Sequence, residues 1–104
     1  MKKILFVCHG NICRSPMVEF ILKDMIKKKS LENFFEVASA ATSCEEIGNS
    51  VYSPARKILA EHGMLCSGKT ARQITPADYN YYGLIIGMDR ENMYNIKNFV
   101  NYKS

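Results

Sequence analysis

Val7-Cys8-His9-Gly10-Asn11-Ile12-Cys13-Arg14-Ser15-Pro16 is the stretch on which the fold turns. Upstream, Lys3-Ile4-Leu5-Phe6-Val7 is a short apolar run rich in β-formers, the pattern of a buried parallel strand. Downstream, Met17 to Lys29 predicts a helix, with Val18, Ile21, Leu22, Met25 and Ile26 at helical spacing as its buried stripe. Ser15-Pro16 suits the start of that helix, the serine as N-cap or first-turn residue and the proline where its missing N–H costs nothing. Between strand and helix lies a loop with Cys8 at one end and Arg14 at the other. A strand–loop–helix unit aims backbone N–H groups and the positive end of the helix dipole at one point, which favours a bound anion.

The same field acts on the thiol. A helix N-terminus and a neighbouring arginine lower a cysteine's pKa from its ordinary value of ~8.5, so the sequence predicts a thiolate nucleophile at Cys8. Arg14 brings a planar fork that grips two phosphate oxygens at once, and the Ser15 hydroxyl can donate to the sulfur. Cys8, Arg14 and Ser15 are therefore the predicted catalytic residues, and Cys8, His9, Gly10, Asn11, Ile12, Cys13 and Arg14 the predicted phosphate-binding loop. An anion-binding loop with a nucleophile on its floor is what in-line attack on a phosphomonoester requires.

Composition narrows the class. The 104 residues, 47% of them hydrophobic, suffice for one domain with a modest core. No apolar run is long enough to span a bilayer, and the first strand is too short to be the core of a signal peptide, so a cytoplasmic address and no membrane partner are expected. In that compartment Cys8, Cys13, Cys44 and Cys66 read as free thiols rather than two disulfides. Their spacing, with His9 and His62 the only histidines, fits no zinc pattern, so neither metal nor cofactor is expected. The net charge is +4, and Lys27-Lys28-Lys29 with Lys23 is its densest cluster. Those lysines end a helix, where cations complement the dipole, and they read as a solvated helix end rather than a nucleic-acid surface. A mildly basic surface also helps to draw in a dianion.

Further along, Phe34 to Ala40 predicts a second strand, making a right-handed βαβ unit with parallel pairing. Ala41 to Ser53 is loop-like. Pro54 to His62 predicts a second helix closed by Gly63, with His62 a helix-end residue rather than a catalyst. Ala71 to Ile74 reads as loop, followed by a short helix capped around Thr75-Pro76-Ala77-Asp78. Gly83 to Met88 predicts a third buried strand, and Asp89 caps a third long helix that opens over Asp89–Met93. The expected fold is three-layer α/β/α with a parallel sheet of Rossmann-like or flavodoxin-like type, strand order 2-1-3. Ligands of such sheets gather at the carboxyl ends of the strands, which puts Asp89 on the side of the loop.

Cys8 through Ser15 fits the cysteine-x5-arginine-serine loop of protein tyrosine phosphatases. Its place at the extreme N-terminus, with Gly10, Asn11 and Cys13, resembles the low-molecular-weight protein tyrosine phosphatases, and Met88-Asp89 followed by Asn92 matches them again. The resemblance runs over essentially all 104 residues. It implies hydrolysis of a phosphotyrosine protein or peptide through a phosphocysteine, with inorganic phosphate or another oxyanion as ligand. It also implies that Cys13 is a redox partner, trapping Cys8 as a reversible disulfide. In the family, residues 41–53 would form one wall of the cleft, often with a specificity-setting aromatic; here Cys44, Glu45, Glu46 and Ile47 stand there, with Tyr52 slightly later. Glu45 and Glu46 are expected to disfavour acidic peptides. Lys69 occupies the place of a family histidine that bonds the loop asparagine; a charged lysine can reach that asparagine or the phosphate but accepts no hydrogen bond.

The family domain is about half as long again. Its fourth strand, its Asp-Pro-aromatic loop bearing the general acid, and its last helix have no counterpart before Ser104, so the 104 residues read as one domain incomplete at the C-terminus. General acid catalysis typically contributes ~10²–10⁴-fold. Impaired turnover that favours good leaving groups such as nitrophenyl phosphate is the expectation, as is a dimer through an exposed edge at Leu84-Ile85-Ile86. Two sister activities use the same loop. Protein arginine phosphatases usually carry threonine where Ile12 stands, and thioredoxin-coupled arsenate reductases need two further cysteines after the third strand, where this chain has none. A non-catalytic phosphate- or phosphoprotein-binding fragment is the alternative from another class.

Overall fold

The computed structural model describes residues 1–66 and 68–88. Its elements run β1 (Lys2–Cys8), α1 (Arg14–Lys28), β2 (Phe35–Ala41), α2 (Ser53–Glu61), α3 (Pro76–Tyr81) and β3 (Leu84–Gly87). The sheet is parallel in the order β2-β1-β3, with Leu5 opposite Ala38 on one side and Ile85 on the other. This is the predicted strand order, and it puts β1 in the centre. A central parallel strand must be apolar on both faces, and Leu5, Phe6, Val7 and Cys8 are all buried.

The two faces are covered differently. Leu5, Val7 and Ala40 pack with Ile74, Ala38, Tyr82 and Ile85, on the side of the segment that flanks α3. Phe6 and Val37 pack against α1 through Ile26, Val18 and Leu22. α2 lies against α1, where Val51, Ala55, Leu59 and Cys66 meet Cys13, Met17 and Phe20. No helix among the described residues is long and apolar enough to cross a membrane.

α1 departs from the sequence reading in two ways. It begins at Arg14, three residues before the predicted Met17, so Ser15 is a first-turn residue and Cys13 takes the N-cap position without a side-chain cap bond. Of the predicted stripe, Ile21 and Met25 are 40% and 50% exposed. The sheet covers only the strip through Ser15, Glu19, Leu22 and Ile26; Ile21 and Met25, one turn apart, lie off it with Lys28 and Asp24 on the outer side. The strand ends shift by one residue: Phe34 is 60% exposed and precedes β2, and Ala41 belongs to it. α2 ends as predicted, with Gly63 at φ +80°. The helix predicted from Asp89, and Asp89 itself, lie outside the described residues. β3 is an edge of the described sheet, and Leu84 on it is exposed.

α3 is held by a reciprocal cap. Asp78 N–H donates to Thr75 Oγ1 (3.3 Å) while Asp78 Oδ2 accepts from Thr75 N–H (2.8 Å). The same carboxylate takes both arms of Arg72, at 2.8 and 3.0 Å. Burial alone would raise the Asp78 carboxyl pKa; the Arg72 fork and the Thr75 N–H outweigh it and hold it below the ordinary carboxylate value. Asp78→Asn should therefore cost about 1–3 kcal/mol near neutral pH. Because the folded-state pKa is the lower one, this advantage is complete above the unfolded carboxylate value of about 4 and is lost as pH falls through the folded value. Thermal melts of both proteins from pH 7 downwards should converge in acid; a gap that stays constant would contradict the assignment.

Candidate active site

The loop begins where β1 ends. Cys8 is the last residue of the central strand, at its carboxyl end, and is 4% exposed. Five residues later α1 starts, so the chain must reverse its direction of hydrogen bonding within His9–Cys13. The Cys8 Sγ accepts from the Asn11 N–H at 3.2 Å and lies 2.9 Å from Ser15 Oγ. Among the described residues, no protein group accepts from the N–H of Gly10, Ile12 or Cys13, which leaves these donors to an anion. Arg14 opens α1 and is exposed. The structure thus brings the sulfur, the serine and the helix start together, as the spacing predicts.

Asn11 is the residue that shapes the loop. It is 1% exposed and sits at φ +58°, a left-handed conformation that an L-residue adopts only when something holds it there. Its side chain supplies the hold. Oδ1 accepts from the Arg72 N–H at 3.2 Å, and Nδ2 donates to Ser15 Oγ at 2.9 Å and to Ser39 Oγ at 2.8 Å. The Ser39 hydroxyl donates to Glu19 Oε1 at 2.5 Å. Glu19 is 3% exposed. Its Oε2 accepts from Lys23 Nζ at 2.6 Å, and its Oε1 lies 3.4 Å from Lys69 Nζ. Lys69 also donates to the Ser39 carbonyl at 3.0 Å, so it reaches Asn11 only through Ser39. Desolvation lowers the Lys69 pKa below that of an ordinary lysine, and the Glu19 carboxylate opposes that fall.

The wall opposite is tied to the same scaffold. Gly48 N–H donates to the Ala71 carbonyl (2.9 Å) and Ala71 N–H to the Asn49 carbonyl (2.8 Å), so residues 48–50 are stitched to the segment that carries Lys69 and Arg72. Tyr52 N–H donates to the Ile12 carbonyl at 2.6 Å, joining the wall to the loop itself. A Cβ on Gly10 would stand 3.3 Å from Glu46 Cγ, so a glycine there lets the Glu46 side chain lie against the loop. Glu45 Oε2 is 3.0 Å from His9 Nε2 at an exposed rim, and Tyr52 is exposed nearby in sequence. All four cysteines are free; Cys13 is half-buried against the cluster that contains Cys66. His62 caps the end of α2.

Comparison with known proteins agrees with this geometry. A family model described as low molecular weight phosphotyrosine protein phosphatase matches residues 3–104. The chain belongs to that family. The phosphatase fold extends to its solved members: the crystal structure of YfkJ from Bacillus subtilis superposes with a TM-score of 0.95 at 38% identity, covering 100% of this chain and 65% of that one. The structure of SP-PTP, the low molecular weight protein tyrosine phosphatase from Streptococcus pyogenes, gives 0.86 at 41% identity, covering 94% and 63%. That of DARP, a Drosophila arginine phosphatase, gives 0.87 at 33%, covering 94% and 60%. Against the curated low molecular weight phosphatases, the chain spans 67% of the length of the Bacillus protein and 58% of the human one.

Three members of the network in this phosphatase chain are not among the residues that sequence reasoning singles out: Glu19, Ser39 and the backbone of Arg72. Glu19 alone carries a signal. It falls four residues after Ser15 and interrupts the apolar strip that faces the sheet. Asn11→Gly and Asn11→Ala separate the two roles of Asn11. Both lose the three side-chain bonds, but only alanine adds left-handed strain, so N11A should unfold about 1 kcal/mol more easily than N11G. Both should bind inorganic phosphate or vanadate at least ~10-fold more weakly than wild type. Unchanged oxyanion affinity in N11G would show that Asn11 does not shape the loop.

Proposed function

We propose that this chain carries the phosphatase chemistry of its family: hydrolysis of phosphotyrosine and other aryl phosphomonoesters through a phosphocysteine. The observation that carries the reading is the convergence on Cys8 Sγ of the Ser15 hydroxyl at 2.9 Å and the Asn11 N–H at 3.2 Å, in a loop that feeds directly into α1. Cys8 attacks phosphorus in line with the ester oxygen; the S–P bond forms as the P–O bond breaks, and the alcohol leaves with a proton. Arg14 and the N–H groups of residues 9–14 hold the equatorial oxygens as charge gathers on them. Water then cleaves the S–P bond, phosphate departs, and the sulfur returns as a thiolate that Ser15 stabilises by donation. Cys13, five residues from Cys8 in one tight loop, serves as the redox partner that traps Cys8 as a disulfide. Residues 1–104 act as one phosphatase unit in this reading, and the substrate is a phosphoprotein.

One observation favours weighing a second substrate. DARP, titled an arginine phosphatase, superposes on this chain as closely as the tyrosine phosphatases do. Ile12 argues for the aryl ester, since an isoleucine cannot position water beside a substrate nitrogen.

Phosphate release from nitrophenyl phosphate should be abolished by Cys8→Ser and reduced by ~10³-fold or more in Arg14→Ala. Phosphotyrosine should be turned over faster than phosphoarginine by the unmodified chain. Faster phosphoarginine hydrolysis would reassign the substrate, and turnover that survives Cys8→Ser would remove the phosphocysteine altogether.

A further inference from the structure

We infer that Glu19, held by Lys69, is a positioning carboxylate that sets the direction of the hydrogen-bond chain ending on Cys8, so that the Ser15 hydroxyl proton is aimed at the sulfur. The inference deepens the phosphatase reading and rests on it for the catalytic consequence alone.

The argument is an accounting of protons. Arg72 N–H can only donate, so the Asn11 oxygen faces it and the Asn11 amide nitrogen faces both serines. Each serine then accepts from Asn11 and retains one hydroxyl proton to place. Ser39 gives its proton to Glu19 Oε1, a carboxylate that can only accept. Ser15 is left with one neighbour for its proton, the Cys8 sulfur at 2.9 Å. A hydroxyl that donates to the sulfur favours the thiolate; one that accepts from it favours the thiol.

Remove the acceptor at position 19 and the order fails. The Ser39 proton is then buried without a partner, and the simplest relief is to rotate the Asn11 amide so that its oxygen accepts from the serines. That rotation draws the Ser15 proton away from Cys8 and sets two donors, Asn11 Nδ2 and Arg72 N–H, against each other. Lys69 guards against this by pinning Oε1. Its side chain is 13% exposed and it bridges Glu19 to the Ser39 carbonyl, whereas Lys23, on the other oxygen, is 47% exposed. A lysine thus acts on the loop without touching it. Its charge also offsets that of a carboxylate buried under the sheet.

The test uses the full chain and four proteins. A glutamine at 19 retains an acceptor, and Lys69, which can only donate, forces the amide oxygen toward itself and Ser39. Glu19→Gln should therefore keep Cys8 alkylation by iodoacetamide and kcat for nitrophenyl phosphate within about threefold of wild type. Glu19→Ala should alkylate Cys8 with a midpoint about one pH unit higher, and lose about tenfold in kcat with KM within threefold. The double variant Glu19→Gln with Lys69→Met has no donor to orient the amide and no unpaired buried ammonium; it should behave like Glu19→Ala. If Glu19→Ala does not fold, the comparison of the double variant with Glu19→Gln decides. Wild-type alkylation in the double variant, or Glu19→Gln as impaired as Glu19→Ala, would overturn the inference. The alkylation arm does not depend on phosphate chemistry. A chain that hydrolyses no phosphoester but shows the shifted midpoint would sink the phosphatase reading and leave the positioning role standing.

Discussion

The fold of the loop depends on one constraint, the left-handed backbone of Asn11. An L-residue gives up roughly 1–2 kcal/mol to sit there, and asparagine reduces that cost because its short amide bonds locally. Here the amide reaches further, to Arg72 of the segment beside β2, to Ser15 of α1 and to Ser39 of β2. Three separate parts of the chain must be in place before the turn is comfortable. The turn in return points the Asn11 N–H at the Cys8 sulfur. Loop shape and sulfur environment are thus one structural event.

The parallel sheet makes that event reproducible. β1 is central and buried on both faces, so Cys8 is delivered at the end of the least mobile strand. β2 ends beside it, bringing Ser39 to the level of Phe6 and Ala41 to the level of Cys8. The neighbouring segment is fixed twice, by the Ala41–Arg72 backbone pairing and by the Arg72–Asp78 fork that anchors α3. Burial raises the cost of any mispairing among these groups. The Glu19–Lys69 pair, buried between α1 and β2, meets that cost with matched charge.

Much of this was legible in the residues. Strand, loop and helix over Lys2–Lys28 show because a local motif carries its own signals, and the strand order follows from parallel βαβ geometry. The stripe of α1 was less legible: Ile21 and Met25 satisfy helical spacing yet face outward, because a five-residue apolar set is wider than the sheet it must cover. Lys69 announced itself as unusual, but not its partner. Charged residues on a helix read as solvated, and only the tertiary contact with Ser39, twenty positions away, shows that Glu19 is inside. Ser39, twenty-eight positions from Asn11, and Arg72, sixty-one away, carry no local trace of their role.

The central claim is that the Cys8 sulfur attacks phosphorus under donors arranged by the loop. Acid quenching of the chain during turnover of ³²P-labelled nitrophenyl phosphate, followed by peptide mapping, tests it most directly. The account predicts label bound through sulfur on the peptide holding Cys8, and none in Cys8→Ser. Steady phosphate release with no labelled cysteine, or label on any other residue, would contradict it.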